Sequence, residues 1–124
     1  MANPLIKYIG KNYEEYNCFD LVKEFYKDHF DIDLSNYWEQ EHTPDKKTVQ
    51  TLIASNKGDF NDVSRVPIAF GDIVVVKLYG MECHVGVCVG NGMFLHSIRG
   101  VGSCMETLKK YERMIAGYYR HKGN

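Results

Sequence analysis

The spacing of apolar residues changes once along the chain, near Pro67, and this change limits the fold class more than any other feature. Before it, residues 16–26 carry apolar side chains at helical intervals. After it come β-branched runs at 73–78 and 84–89, and the second run leads through a hairpin sequence at 90–92 into a further strand. Helices followed by consecutive antiparallel strands predict an α+β fold, with N-terminal helices packed on one face of an antiparallel sheet.

A second helix is predicted with Thr43 as N-cap, Pro44 at the first helical position and Gly58 at its end. The remaining segments have weaker patterns. We interpret them as a surface loop at 60–66, an irregular stretch at 98–102, one or two helical turns at 106–113 and a last strand at 114–119.

Length and charge exclude several classes of protein. The 124 residues fit one domain, 1–124, with enough buried surface for one core. The 15 basic and 16 acidic side chains give a net charge of −1, which provides no electrostatic footprint for nucleic acid or an anionic membrane. Because the N-terminus has neither a basic segment nor a long apolar run, we expect no export by a signal of its own and no membrane insertion.

Cys18 lies where the first predicted helix begins. Asn17 is a suitable N-cap, and the helix is expected to run to about Asp28 or His29. The apolar face of this helix comprises Cys18, Leu21, Val22 and Phe25. At the first helical position, unpaired backbone N–H groups and the helix dipole favour a thiolate, so Cys18 is a candidate nucleophile. The alternative is a small buried residue that packs the helix start.

The chain contains four cysteines. Without an export signal, they are expected to be reduced thiols. A structural zinc site is an alternative, and its potential ligands are Cys83, His84, Cys88, His96 and Cys104. These residues form no paired Cys-x-x-Cys motif, and two of them lie on a predicted strand, which disfavours zinc.

A nucleophilic cysteine requires a base and a residue that orients the base, and the candidates for these roles are His84 and His96. A two-residue turn between their strands would pair His96 with Val87, whose side chain points away from His84. A three-residue turn would place His96 opposite Gly86, on the same side as His84. A catalytic pair therefore predicts an odd-numbered turn or an equivalent β-bulge. Each histidine alone could instead be an ordinary core or surface residue.

The order Cys18, His84, His96, together with the segments FGDIVVVK and HVGVCVGNGMFLH, resembles the NlpC/P60 family of papain-like cell-wall cysteine peptidases. The resemblance extends over essentially the whole chain and implies the papain-like fold of that family. It implies that Cys18 is the nucleophile, His84 the base and His96 the residue that orients His84. Tyr13 matches a tyrosine that in this family lies near the nucleophile and helps to polarise the substrate carbonyl.

A closer resemblance is to the phage branch, the peptidase domains of tail-tip assembly proteins, through YIGKNYEEYNCFDLVKEFY and IAGYYR. The resemblance implies a thiol hydrolase that cleaves an amide bond in peptidoglycan stem peptides without a cofactor. It also implies a phage tail component with other tail-tip proteins as partners. Such a protein would be found in the virion or, before assembly, in the host cytoplasm.

The sequence departs from the family pattern around the nucleophile. Asn17 stands where the family usually has Asp, and Phe19 and Asp20 replace a pair of small residues. The glycines usual between Tyr13 and Cys18 are missing. The charge of Asp20 would oppose a thiolate unless it is turned away. Two alternatives therefore stay open: an inactive structural tail component that keeps the fold, and a thiol acyltransferase or amidase acting on a small molecule or lipid.

Overall fold

The fold was obtained as a computed structural model, which describes residues 4–34, 60–78 and 81–123. These residues contain one α-helix, α1 (Cys18–Phe30), and two short 3-10 helices, Pro4–Tyr8 and Lys109–Tyr111. They also contain six strands, β1 (Phe60–Asp62), β2 (Ile73–Leu78), β3 (Met81–Gly90), β4 (Met93–Ile98), β5 (Gly102–Thr107) and β6 (Ile115–His121). The helix predicted at 43–58 lies outside the described residues.

The strands form a single sheet in the order β1-β6-β2-β3-β4-β5, and every neighbouring pair is antiparallel. α1 packs on one face of this sheet, over β3 and β4. The predicted α+β class is thus confirmed, and the arrangement is consistent with the papain-like fold that the resemblance implies. Among the described residues, no helix combines the length and apolar character that crossing a membrane requires.

The start of α1 is fixed by a capping box. The side chain of Asn17 accepts a 2.9 Å hydrogen bond from the backbone N–H of Asp20, and the Asp20 carboxylate accepts a 3.1 Å bond from the backbone N–H of Asn17. The helix ends at Phe30, slightly later than predicted, where Asp31 adopts the left-handed conformation with φ of 55°. The predicted N-cap and helix start are confirmed.

Side chains of the sheet alternate between two faces, which we call the helix side and the far side. The helix-side cluster joins strand residues Ile73, Val75, Val85, Val87 and Leu95 to the buried face of α1, which includes Cys18, Leu21, Val22 and Phe25. The far-side cluster comprises Val74, Val76, Cys88, Phe94, Leu108 and Tyr111. The core therefore lies mainly between α1 and the sheet, and the far-side cluster forms a second, smaller apolar region on the opposite face of the sheet.

Asp72, just before β2, connects the start of β2 to the neighbouring strand β6. Its fully buried carboxylate accepts two hydrogen bonds from the Arg120 guanidinium, at 2.7 and 2.9 Å, and a third from the backbone N–H of Ala69. A buried carboxylate needs such partners, because an unpaired buried charge is strongly destabilising. Asp72 is thus a structural residue that holds β2 against β6.

Two of the weaker predictions were wrong or incomplete, and one strand was missed. Residues 60–62 are strand β1, which pairs with β6, and not part of a surface loop. The predicted helical turns at 106–113 reduce to the 3-10 helix Lys109–Tyr111, since the preceding residues form β5. β5 itself was not predicted, because it is recognisable only through its pairing with β4.

Candidate active site

The hairpin between β3 and β4 brings the two histidines to one face of the sheet. Its turn consists of Asn91 and Gly92, whose positive φ values of 56° and 72° fit a type I′ turn. A β-bulge in β3 just before the turn supplies an extra residue, and His96 therefore pairs with Gly86. This confirms the predicted bulge, and with it the placement of His96 on the same side as His84.

The two imidazole rings are in direct contact. His84 Nε2 and His96 Nδ1 are 2.8 Å apart, and the side chains are only 3% and 0% exposed. Burial lowers the pKa of both histidines, and for His84 the adjacent His96 lowers it further, to about 3. For His96, the hydrogen bond to a carboxylate partly opposes this shift in pKa. Both rings are therefore neutral near pH 7, and one donates a hydrogen bond to the other.

Glu106, on β5, extends this contact into a chain of three residues. Its Oε1 atom lies 2.7 Å from His96 Nε2 and accepts a 2.7 Å hydrogen bond from the Tyr111 hydroxyl. Its Oε2 atom accepts a hydrogen bond from the Lys110 ammonium. Burial acts to raise the pKa of Glu106, but the hydrogen bonds from Lys110, Tyr111 and His96 outweigh it and lower the pKa to about 2. Glu106 is therefore an ionised carboxylate at neutral pH.

Glu106 was not among the residues predicted for the site. It was expected at the start of a helical turn, whereas it lies in β5, opposite Phe94 of β4. Its contact with His96 depends on the pairing of two strands that are joined by a turn at 99–101. Cys104 and Met105 are both apolar, so the sequence shows no apolar–polar alternation that could have indicated a strand there.

Gly86, the pairing partner of His96, leaves room for the Phe94 ring. A Cβ atom there would lie 2.7 Å from both the Leu95 carbonyl oxygen and a carbon of the Phe94 ring. The space above Gly86 is therefore filled by Phe94, whose ring centroid is 4.2 Å from that of His96. Glycine at this position lets Phe94 support the His96 ring from the side.

Cys18 occupies the first position of α1, as predicted, and its side chain is 1% exposed. It belongs to the helix-side cluster, whereas strand alternation puts His84 and His96 on the far side. The Ser97 hydroxyl donates a 2.6 Å hydrogen bond to the carbonyl oxygen of Tyr16. Since Ser97 follows His96 directly, α1 begins beside the strand end that carries the histidines. Direct contact between the Cys18 sulfur and His84 stays a prediction.

Asp20 is turned into the helix cap. One of its carboxylate oxygens accepts from the backbone of Asn17, and the other lies 3.6 Å from the Lys23 ammonium. The charge of Asp20 is thus partly compensated by groups other than Cys18. Asn17 and Asp20, both departures from the family pattern, together form one local capping device.

Tyr13 lies in the turn before α1 and is half-buried, with the guanidinium of Arg99 5.6 Å from its ring centroid. It lines an open cleft of about 380 Å³ formed by residues 10–14 and 100–102. Lys11 holds one wall in place, because its carbonyl oxygen accepts a 2.9 Å bond from the backbone N–H of Ser103. The structure thus places Tyr13 in a cleft.

The described cysteines other than Cys18 have environments that disfavour a thiolate. Burial, with a nearby aspartate, raises the pKa of Cys88 to about 12. Burial and the charge of Glu106 raise the pKa of Cys104. Cys18, Cys88 and Cys104 are reduced and take part in no disulfide among the described residues, and the side chain of Cys83 lies outside those residues.

Three side chains are close enough together to bind a metal ion. His96, Cys104 and Glu106 present donor atoms that lie within 4.8 Å of one another. However, Glu106 already accepts hydrogen bonds from His96, Tyr111 and Lys110, and a cation would have to displace them. We therefore interpret this group as a hydrogen-bonded network, which shares His96 and Cys104 with the set considered for zinc.

Comparison with known protein families identifies the family of the chain. The sequence model of the NlpC/P60 family matches residues 6–121 of the 124. The matched segment contains α1, the six strands and all candidate site residues, namely Tyr13, Cys18, His84, His96 and Glu106. No curated protein shows significant similarity to the chain.

Proposed function

The chain belongs to the NlpC/P60 family, and on this premise we propose that it is a cysteine peptidase that cleaves an amide bond in peptidoglycan stem peptides. The family by itself indicates a cell-wall hydrolase of the peptidase type, with peptidoglycan as substrate. The observation that carries the finer proposal is the buried hydrogen bond between His84 and His96, beside the start of the Cys18 helix. A base held by a second side chain is what a cysteine nucleophile requires.

In the proposed reaction, His84 takes the proton of Cys18, and the thiolate attacks the carbonyl carbon of the amide. Backbone N–H groups at the start of α1, including that of Cys18, donate hydrogen bonds to the oxyanion that forms. The C–N bond then breaks, His84 protonates the leaving amine, and an acyl thioester remains on Cys18. His84 next takes a proton from water, whose oxygen attacks the thioester and releases the carboxylic acid. The departing thiolate regains the proton, and His96 orients His84 throughout.

Three features support Cys18 as the nucleophile. It is at the first position of a capped helix, where the backbone N–H groups favour a thiolate. Asp20, the nearest acidic residue in the chain, is engaged in the cap. Cys88 and Cys104, by contrast, have a raised pKa.

The cleft beside Tyr13 is our proposed site for the substrate peptide. It is open to solvent, as a site for a polymer must be, and the residues that line it include Lys11, Tyr13 and Glu14. In this proposal, Tyr13 helps to polarise the substrate carbonyl. Peptidoglycan stem peptides carry both carboxylate and ammonium groups, so a lining with both charge signs suits them.

For the biological setting, we propose that the chain is a component of a phage tail tip that aids penetration of the cell wall. The proposal rests on the resemblance of the segments around Cys18 and at 115–120 to tail-tip peptidases. Other tail-tip proteins would be its partners, and the virion its final location.

The direct test is incubation of the purified chain with peptidoglycan fragments, followed by mass spectrometry for newly formed amines. Cys18→Ala removes only a sulfur atom, so it should keep the fold and lose hydrolysis by several orders of magnitude. Cys88→Ala, a matched removal of a buried thiol, should retain activity, because that cysteine has no part in the proposed reaction.

Equal turnover by the wild-type chain and Cys18→Ala would overturn the proposal and leave a structural role. New acyl conjugates in place of free carboxylic acids would instead identify an acyltransferase.

A further inference from the structure

We propose that Glu106 is a positioning residue that fixes the protonation pattern of both histidines, so that the ring nitrogen of His84 away from His96 is an unprotonated base. The catalytic consequence rests on the proposed function, but the protonation pattern can be tested without any substrate. The proposal follows from the direction in which each hydrogen bond of the network must run.

The Glu106 carboxylate determines which nitrogen of His96 carries the proton. Glu106 is ionised and can only accept hydrogen bonds, so its 2.7 Å contact with His96 requires a proton on His96 Nε2. The Tyr111 hydroxyl and the Lys110 ammonium also donate to Glu106. The Cys104 thiol, whose sulfur is 3.8 Å from Oε1, is a further donor, and none of the three takes the place of the ring as donor.

The proton on His96 in turn determines the direction of the hydrogen bond between His96 and His84. A neutral His96 with its proton on Nε2 has an unprotonated Nδ1, which can only accept. The 2.8 Å contact therefore requires a proton on His84 Nε2. A neutral His84 then has its lone pair on Nδ1, the nitrogen that faces away from His96. This atom can accept a thiol proton.

The protons of the two rings could also be arranged in the opposite direction. Without an ionised partner, His96 could equally carry its proton on Nδ1 and donate to His84 Nε2. The proton of His84 would then occupy Nδ1, and His84 could not act as a base. The negative charge of Glu106 excludes this reversed arrangement and also stabilises the positive charge that His84 acquires when it takes a proton.

The first experiment measures the protonation pattern by nitrogen-15 NMR of the imidazoles at pH 7, in Cys18→Ala to remove any contribution of the thiol. We expect protons on Nε2 of both His84 and His96. Glu106→Gln should convert the His96 signal into a mixture of the two tautomers, because an amide can donate as well as accept. A proton on Nδ1 of His96 in the Cys18→Ala chain, or an unchanged pattern in Glu106→Gln, would overturn the proposal.

The second experiment compares Glu106→Gln with Glu112→Gln, an equal charge change at an exposed residue of the same region. Glu106→Gln should reduce kcat for peptidoglycan fragments by about 10- to 100-fold with little change in KM, as loss of an orienting partner typically does. Glu112→Gln should retain kcat.

Thermal unfolding of both variants shows whether the loss arises from unfolding instead. If Glu106→Gln is folded and retains full kcat, Glu106 has no positioning role. If the wild-type chain does not cleave peptidoglycan, the proposed function fails, whereas the NMR result still decides the role of Glu106.

Discussion

The two faces of the β3–β4 hairpin differ in chemistry although their residues alternate along the same strands. On the helix side, Val85 and Leu95 are buried against α1 in a cluster of aliphatic and aromatic side chains. On the far side, their neighbours His84 and His96 form a buried polar chain that continues to Glu106. One hairpin thus contributes both to the core and to the candidate active site.

Because the two faces differ in this way, substitutions on the helix side and on the far side should affect different properties of the protein. Helix-side residues stabilise through the area that they remove from water, which is not directional. In the far-side network each polar atom needs a partner of the right type, so its geometry is specified and the loss of one member leaves another unsatisfied. Helix-side changes should therefore reduce stability, and far-side changes should alter protonation and catalysis.

Truncation of the helix-side cluster should have the largest effect on stability. Phe25 is fully buried there and stacks on His29 with ring centroids 4.2 Å apart. Phe25→Ala should lower the free energy of unfolding by about 3–5 kcal/mol, because it leaves a cavity. Urea unfolding measures this value, and activity per folded molecule should persist. A loss below about 1 kcal/mol would show that α1 does not anchor the core.

The matching far-side change is His84→Ala. It should abolish hydrolysis per folded molecule, because the base is removed, and lower the free energy of unfolding by only about 1–3 kcal/mol, mainly through the unsatisfied ring nitrogen of His96. Urea unfolding and a turnover assay on the same preparation separate the two effects. Retained hydrolysis would exclude His84 as the base.

The far-side network should also make the fold sensitive to acid. The pKa of His84 is about 3 in the folded chain, against about 6.5 when unfolded, so the unfolded chain binds more protons between these values. Glu106, with a pKa of about 2, acts in the same direction at lower pH. The free energy of unfolding should therefore fall as the pH drops below about 6.5, by at most about 1.4 kcal/mol per pH unit for each proton.

Urea unfolding at several pH values between 7 and 4 measures this slope. A His84→Gln variant cannot bind the proton and should show a shallower dependence. Parallel curves for the wild-type chain and His84→Gln would show that the burial of His84 does not control acid sensitivity.

Lys110→Met should have the smallest effect. The Lys110 side chain is 60% exposed, so its contact with Glu106 contributes little to stability, and thermal unfolding should be unchanged. The pKa of Glu106 should rise, because one of its stabilising hydrogen bonds is lost. The rate of hydrolysis should fall less than in Glu106→Gln, and a larger fall would assign the ammonium a separate role.

The parts of the structure that depend on neighbouring residues could be predicted from sequence. The N-cap Asn17 and the apolar spacing from Cys18 to Phe25 define α1 locally, because a helix is built from contacts three and four residues apart. The hairpin was predictable from its turn sequence. Its register was limited to two alternatives, and the β-bulge in β3 decides between them.

The parts that depend on distant pairing could not be predicted. β1 has three residues, too few for a recognisable alternation, and forms because β6 offers it an edge. Glu106 has no distinctive local sequence, and its role arises only when β5 pairs with β4 beside His96. The proposed contact of Cys18 with His84 would join α1 to β3, and the sequence resemblance predicts this contact without giving its geometry.

The most direct test of the account is the rate at which Cys18 is alkylated by iodoacetamide as a function of pH, followed by peptide mass spectrometry in the wild-type chain and in His84→Gln. A nucleophile paired with a base at a helix N-terminus should react with an apparent pKa well below about 8.5, the ordinary value for a thiol. We predict that Cys18 reacts first at mildly acidic pH, and that His84→Gln moves its apparent pKa toward the ordinary value. Faster reaction of Cys83, Cys88 or Cys104, or an identical Cys18 profile in His84→Gln, would contradict the assignment of Cys18 and His84 as nucleophile and base.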